Sequence, residues 1–141
     1  MKKIIILVFI NCLIFVNNTL SEEVLKIREG NIDAKIEIII YESLTCGFCA
    51  NFHNEVYPKL KKEFIDEGLV SIEFRNFPLD LAALNASKLA HCENNGSSDF
   101  LHTLYKNQET WKKGNNILEI NNNLKKLIDD TSVNLDFETC I

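Results

Sequence analysis

Proline occurs only twice in 141 residues, tryptophan once and methionine once, and no repeat or low-complexity tract breaks the chain. These absences exclude a fibrous or linker-like protein. With 46% apolar and 25% charged residues, the composition is that of one globular domain. Basic runs are missing too. Fifteen lysines and arginines stand against twenty aspartates and glutamates, a net charge of −5. Such a chain offers no electrostatic footprint for nucleic acid and no attraction to an anionic membrane surface. Its partners are expected to be proteins or small solutes.

Long apolar stretches are absent except at the start. Residues 4–16 are apolar but for Asn11 and Cys12, follow Met1-Lys2-Lys3, and lead to the small residues of Thr19-Leu20-Ser21. Residues 1–21 read as a secretory signal cleaved after Ser21. An uncleaved anchor is the alternative, although the run is short for a bilayer. Cys12 has no small residues just before it, which argues against a lipoprotein site. Cleavage removes Lys2 and Lys3 and no acidic residue, leaving 13 basic and 20 acidic side chains, a net charge of −7. Four cysteines remain, Cys46, Cys49, Cys92 and Cys140, and three pairings are open to them. Export permits disulfides to persist.

Residues 34–41, AKIEIIIY, form a short run rich in β-branched residues and read as a strand buried on both faces, in the middle of a sheet. Residues 69–76, LVSIEFRN, alternate, with Val70, Ile72 and Phe74 on the drier side. Between them, residues 47–67 carry Phe48, Phe52, Val56, Leu60 and Phe64 at helical spacing, read as core contacts, and Gly68 ends the helix. Strand, helix and strand in this order predict a parallel βαβ unit. Pro58 predicts a kink inside the helix. From residue 81 the pattern is helical: 81–93 with a face of Leu81, Leu84, Leu89, Ala82, Ala86 and Ala90, then 100–111, 117–128 and 136–141. Ser98 or Asp99 is placed to cap the second of these. The organisation is thus 22–80 with the strands and 81–141 all helical.

The stretch TCGFCANFH, residues 45–53, sets two cysteines at the junction of strand and helix. Cys46 falls at the helix start, where unpaired backbone N–H groups and the helix dipole favour a thiolate. Cys49, one turn on, faces back to it, so the pair can close a disulfide and reopen by exchange. A zinc site needs four ligands. No second CxxC exists, and His53 lies roughly 10 Å along the helix from Cys46. A purely structural bridge across so short a loop removes little entropy from the unfolded chain. A redox pair is the favoured reading, with no metal.

Three blocks, GNIDAKIEIIIYESLTCGFCANFHNEVYPKL, FRNFPLDLAALNASKLAHC and LDFETC, occur in an order and spacing that resemble the DsbA-like thiol:disulfide oxidoreductases. The resemblance implies an α/β fold: a thioredoxin-like βαβ core with an inserted all-helical subdomain. It implies Cys46 as nucleophile, Cys49 as resolving thiol, and Gly47 and Phe48 as the dipeptide that tunes them. It further implies a periplasmic protein that needs no cofactor, acts on reduced exported proteins and is reoxidised by a membrane partner.

Three departures modify that picture. Gly-Phe stands where the family often has Pro-His, so a weaker oxidant is expected. Ile40 stands where the family has a buried acid; Glu42, on the same side of the strand, either takes over proton transfer to Cys49 or is a solvated strand-end residue. Neither Pro58 nor Pro78 stands where the family has a cis-proline, and the sequence ends at Ile141, so the C-terminal ββα portion is expected to be missing. Cys92 and Cys140 form a second disulfide, stapling or regulatory, or are free buried thiols. Phe48 could lie exposed as part of an apolar docking surface. Trp111 reads as a packing residue, and His91 and His102 receive no role. An exported binding or holding module with an idle CxxC is the alternative function.

Overall fold

The computed structural model describes residues 24–92, 96–131 and 133–141. The signal reading of residues 1–21 lies outside them.

Strands β2 (Ile36–Glu42) and β3 (Val70–Asn76) run parallel, with Ile36 opposite Val70 and Glu42 opposite Asn76. This is the expected βαβ unit. A third strand, β1 (Ile27–Glu29), lies antiparallel along the other side of β3, giving the order β1-β3-β2. At three residues it is too short to show an alternating pattern in sequence. Its presence makes β3 the central strand, and among the described residues β2 pairs on one side only, with β3; residues 34–41 are therefore not buried on both faces as expected. Ile38 and Ile40 pack against the core, whereas Ile39 and Tyr41 on the opposite pleat are 41% and 64% exposed. The same opposite pleat carries Glu73, buried under Arg28 and Arg75. Hydrogen bonds from Arg75 and then Arg28 hold its carboxyl down at about 2.

Helix α1 is continuous from Gly47–Asn51 through Phe52–Val56 and Tyr57–Leu60 to Lys61–Ile65, the second and fourth stretches being wider π-helical turns. Asp66 N–H, for example, reaches back five residues to the Lys61 carbonyl at 2.9 Å. Pro58 has no N–H to give, and a widened turn lies just before it. The extra residues rotate the helix, so its buried side is Ala50, His53, Tyr57 and Ile65. The expected stripe is therefore corrected: Phe48, Val56 and Phe64 are exposed, and only Phe52 and Leu60 reach the core. Gly68, at φ +73°, ends the helix in a conformation that side chains resist.

The helical part comprises α2 (Leu81–Cys92), α3 (Asp99–Lys106), α4 (Gln108–Trp111), α5 (Ile117–Asp129) and α6 (Phe137–Cys140). Ala82, Ala86, Leu89 and Ala90 are buried as expected, but Leu81 and Leu84 face solvent, while Asn85 and Ser87 lie inside. Asn116 and Asp136 cap α5 and α6 with their side chains. Ser98 stands at the N-cap of α3 yet makes no cap bond; its hydroxyl donates to Glu29 instead. Trp111 is fully buried, its Nε1–H donating to the Leu104 carbonyl at 2.8 Å. A disulfide joins Cys92 to Cys140, Cα atoms 5.7 Å apart, and so ties the end of α2 to α6.

Candidate active site

After β2 the chain turns sharply: Cys46 N–H bonds the Ser43 carbonyl at 3.0 Å, and Ala50 N–H opens the helix by bonding the Cys46 carbonyl at 3.1 Å. Cys46 is thereby the N-cap of α1, with extended backbone (φ −76°, ψ 118°). Its Sγ accepts the Cys49 N–H at 3.3 Å, the place a serine or aspartate oxygen usually takes at a cap. The two thiols are unbonded and partly exposed.

Their acidities are driven apart. The Cys46 thiol is pushed down, first by the hydrogen bond from the Cys49 thiol and then by backbone N–H groups of Cys49 and Phe48, against burial and the charge of Glu42. Burial pushes the Cys49 thiol up to about 11, helped by its bond to Cys46 and by the charges of Cys46 and Glu42. Phe48, between them, is 87% exposed, and a Cβ built on Gly47 would meet nothing within 4 Å. Both therefore lie at the rim. A groove beside them is lined by Gly47, Phe48, Asn51, Tyr105 and Gln108.

The turn is gripped from the helical part. Gln108, 1% exposed, donates from Nε2 to the carbonyls of Leu44 and Cys46 at 2.8 and 2.9 Å. Thr45 donates to Asp80 at 2.7 Å, and Asp80 in turn caps α2 through Ala83 N–H at 2.7 Å.

Glu42 is 3% exposed, so it is not a solvated strand-end residue. Its Oε2 lies 2.7 Å from His53 Nε2, and its Oε1 is buried without a hydrogen-bond partner. His53 Nδ1 lies 2.8 Å from His102 Nδ1, and His102 Nε2 lies 2.7 Å from Glu29 Oε1. His102 thus has the partners that the sequence did not reveal. Sequence reasoning passed over Gln108, His53, His102 and Glu29 because their contacts join positions far apart in the chain. Only the place of His53 on the buried side of α1 was within reach, and the widened turns hid it. Among the described residues no three His, Cys, Asp or Glu side chains gather as a metal would require.

Residues 22–141 match the family model described as thioredoxin. A Rickettsia bellii protein provisionally named a protein-disulfide oxidoreductase is 34% identical over 93 residues, 64% of this chain and 36% of that one. The crystal structure of alpha-DsbA1 from Wolbachia pipientis superposes with a TM-score of 0.71 at 31% identity, covering 82% of this chain and 58% of that one. BdbD from Bacillus subtilis, in its oxidised crystal structure, gives 0.67 at 22% identity, covering 82% and 63%, a likeness of fold alone. The matched stretch spans about a third of the length of the curated relatives. The chain belongs to the thioredoxin family, as a DsbA-like member with the helical insertion of that group.

Proposed function

We propose that the protein is an exported thiol:disulfide oxidoreductase that introduces disulfides into reduced proteins outside the cytosol, in the periplasm. The observation that carries this reading is the placement of two free thiols one helical turn apart: Cys46 caps the helix mouth, its Sγ accepting the Cys49 N–H at 3.3 Å and its thiol pushed down, with Cys49 behind it pushed up to about 11. In the oxidised pair, a substrate thiolate attacks Cys46 Sγ, and Cys49 leaves with the electron pair and takes up a proton. The second substrate thiolate then attacks the substrate sulfur of the mixed disulfide, and Cys46 leaves as a stabilised thiolate. Two electrons pass to the CxxC, and a membrane-bound partner removes them. Exposed Phe48 provides an apolar contact for unfolded substrates beside the reacting sulfur.

Gly47 and Phe48 supply no hydrogen-bonding side chain to the Cys46 sulfur, so the reduced form gains less than it would beside an imidazole. The couple is therefore a weak oxidant for its group. Glu42 exchanges the Cys49 proton, and the Cys92–Cys140 bridge acts as a staple remote from the exchange. Oxidation of a reduced dithiol peptide, with Cys46→Ser as control, tests the reading. Turnover abolished by the substitution is expected. An inert unaltered chain, or turnover that survives Cys46→Ser, would instead favour a binding module with an idle CxxC.

A further inference from the structure

Four ionisable side chains stand in one hydrogen-bonded line that begins on the strand leading to the cysteines: Glu42 on β2, His53 on α1, His102 on α3 and Glu29 on β1. Burying such groups costs several kcal/mol each before their interactions are counted, and apolar packing would be the cheaper way to fill the space. The line also has direction. Its inner end is Glu42, whose charge bears on both thiols and whose buried Oε1 has no partner at hydrogen-bond geometry, with the Tyr105 phenol facing the carboxyl. Toward its outer end, His53 and His102 line an open groove with Tyr57, Lys61 and Lys106. We propose that Glu42, His53, His102 and Glu29 form a proton relay that carries the Cys49 proton between the thiol and solvent in that groove. The proposal rests on the exchange role of Cys46 and Cys49.

The hydrogen bonds fix how protons can sit. Glu29 also accepts from the hydroxyls of Ser98 and Tyr57, which makes it a carboxylate and makes His102 Nε2 a donor. Burial raises the Glu29 carboxyl, but the bonds from His102, Ser98 and Tyr57 outweigh it and bring it down to about 2. One proton fits between the two facing Nδ1 atoms. When His102 supplies it, His53 Nε2–H donates to Glu42. Two short transfers, from His102 Nδ1 to His53 Nδ1 and from His53 Nε2 to Glu42 Oε2, then convert Glu42 to the acid. The two hydrogen bonds the proton crosses survive with their directions reversed, and His102 Nε2–H goes on donating to Glu29. Glu42 can now protonate the departing Cys49 thiolate, and groove water restores the rings. Reoxidation runs the same steps backward: Glu42 takes the Cys49 proton as that sulfur attacks Cys46 Sγ.

The titratable groups that face this path can be named, and at the groove they include Asp66, which Lys61 holds at 2.9 Å. Against Glu42 stand His53, Tyr105, Cys46 and Cys49; against His53, also Tyr57 and Tyr105, whose ring stacks at 3.9 Å. Against His102 stand Glu29, His53 and Tyr57, stacked at 4.3 Å, and against Glu29 stands Lys61 at 3.3 Å. Burial, foremost, pushes both phenols above their usual range, so they remain protonated.

The test is the oxidation of the reduced full chain by oxidised glutathione, in which Cys49 must lose its proton. His102→Gln keeps a hydrogen-bonding amide but cannot pass a proton. It is expected to slow the reaction about tenfold near neutrality, a modest share of what general acid–base catalysis supplies. The remaining rate should climb in proportion to hydroxide, where the unaltered chain shows a flatter profile. Imidazole added to His102→Ala, which opens space at the groove, should restore the rate. In the unaltered chain, rates in mixtures of light and heavy water should fall along a bowed curve, since more than one proton moves. His102→Gln with the unaltered rate and pH profile, a folded His102→Ala that imidazole does not rescue, or a straight heavy-water plot would overturn the relay. None of these touches the exchange role, which falls if the unaltered chain fails to oxidise the dithiol peptide or if turnover survives Cys46→Ser.

Discussion

Gln108→Leu tests how the helical part holds the active-site turn. The substitution keeps the volume of a buried side chain and removes both donors from Nε2. The two carbonyls do not suffer alike. That of Cys46 still accepts Ala50 N–H at 3.1 Å, so it loses an ordinary hydrogen bond, about 0.5–1.5 kcal/mol. For that of Leu44, Gln108 is the one hydrogen-bond donor among the described residues, and Leu44 itself is fully buried. Leaving that carbonyl unsatisfied costs about 1–3 kcal/mol. The sum, about 1.5–4.5 kcal/mol, is a large part of the ~5–15 kcal/mol that holds a domain of this kind. Urea unfolding followed by circular dichroism and by the fluorescence of buried Trp111 measures the loss. The Cys46 thiol should rise at the same time, because a loosened turn no longer holds its sulfur over the first helical N–H groups. A stability change under about 0.5 kcal/mol, with Cys46 titrating as before, would refute the reasoning.

Three further outcomes follow from the same geometry. Cys140→Ser opens a link between residues 48 apart, and chain entropy sets the loss at about 4 kcal/mol by denaturant unfolding, with glutathione equilibration at Cys46 and Cys49 unchanged. An unchanged midpoint would mean that the staple carries no stability. Phe48→His places an imidazole beside the Cys46 sulfur and should shift the glutathione equilibrium toward the reduced form by roughly tenfold, about 30 mV; no shift would detach the dipeptide from tuning. Glu29 has a folded value near 2 against an ordinary 4.5, so its contribution to stability is present above 4.5 and lost as pH falls toward 2. Glu29→Gln should flatten the acid limb of the stability curve in that window, and an unaltered limb would contradict the assignment.

The parts legible in sequence are those carried by local pattern. The alternation of Val70, Ile72 and Phe74, the CxxC at a strand-to-helix junction and Gly68 at the helix end each report on a few neighbouring residues, and the structure places them as read. The parts that escaped depend on distant partners. A run of isoleucines in residues 36–40 looks alike in a central strand and in an edge strand, and only the strands that pair beside β2, here β3 alone among the described residues, decide between them. The helical stripe through Phe48, Val56 and Phe64 assumed 3.6 residues per turn, an assumption that two π-helical turns break. His53 and His102 are 49 residues apart, and Gln108 is 62 from Cys46, so neither contact leaves a mark in spacing.

The most direct measurement is the pH dependence of alkylation at each cysteine of the reduced full chain, read by mass spectrometry. Cys46 should react with a midpoint below the ordinary thiol value of 9.0, and Cys49 should stay protected until pH is near 11. Two thiols that titrate together at the ordinary value, or a Cys46 that the reagent never reaches, would contradict the account.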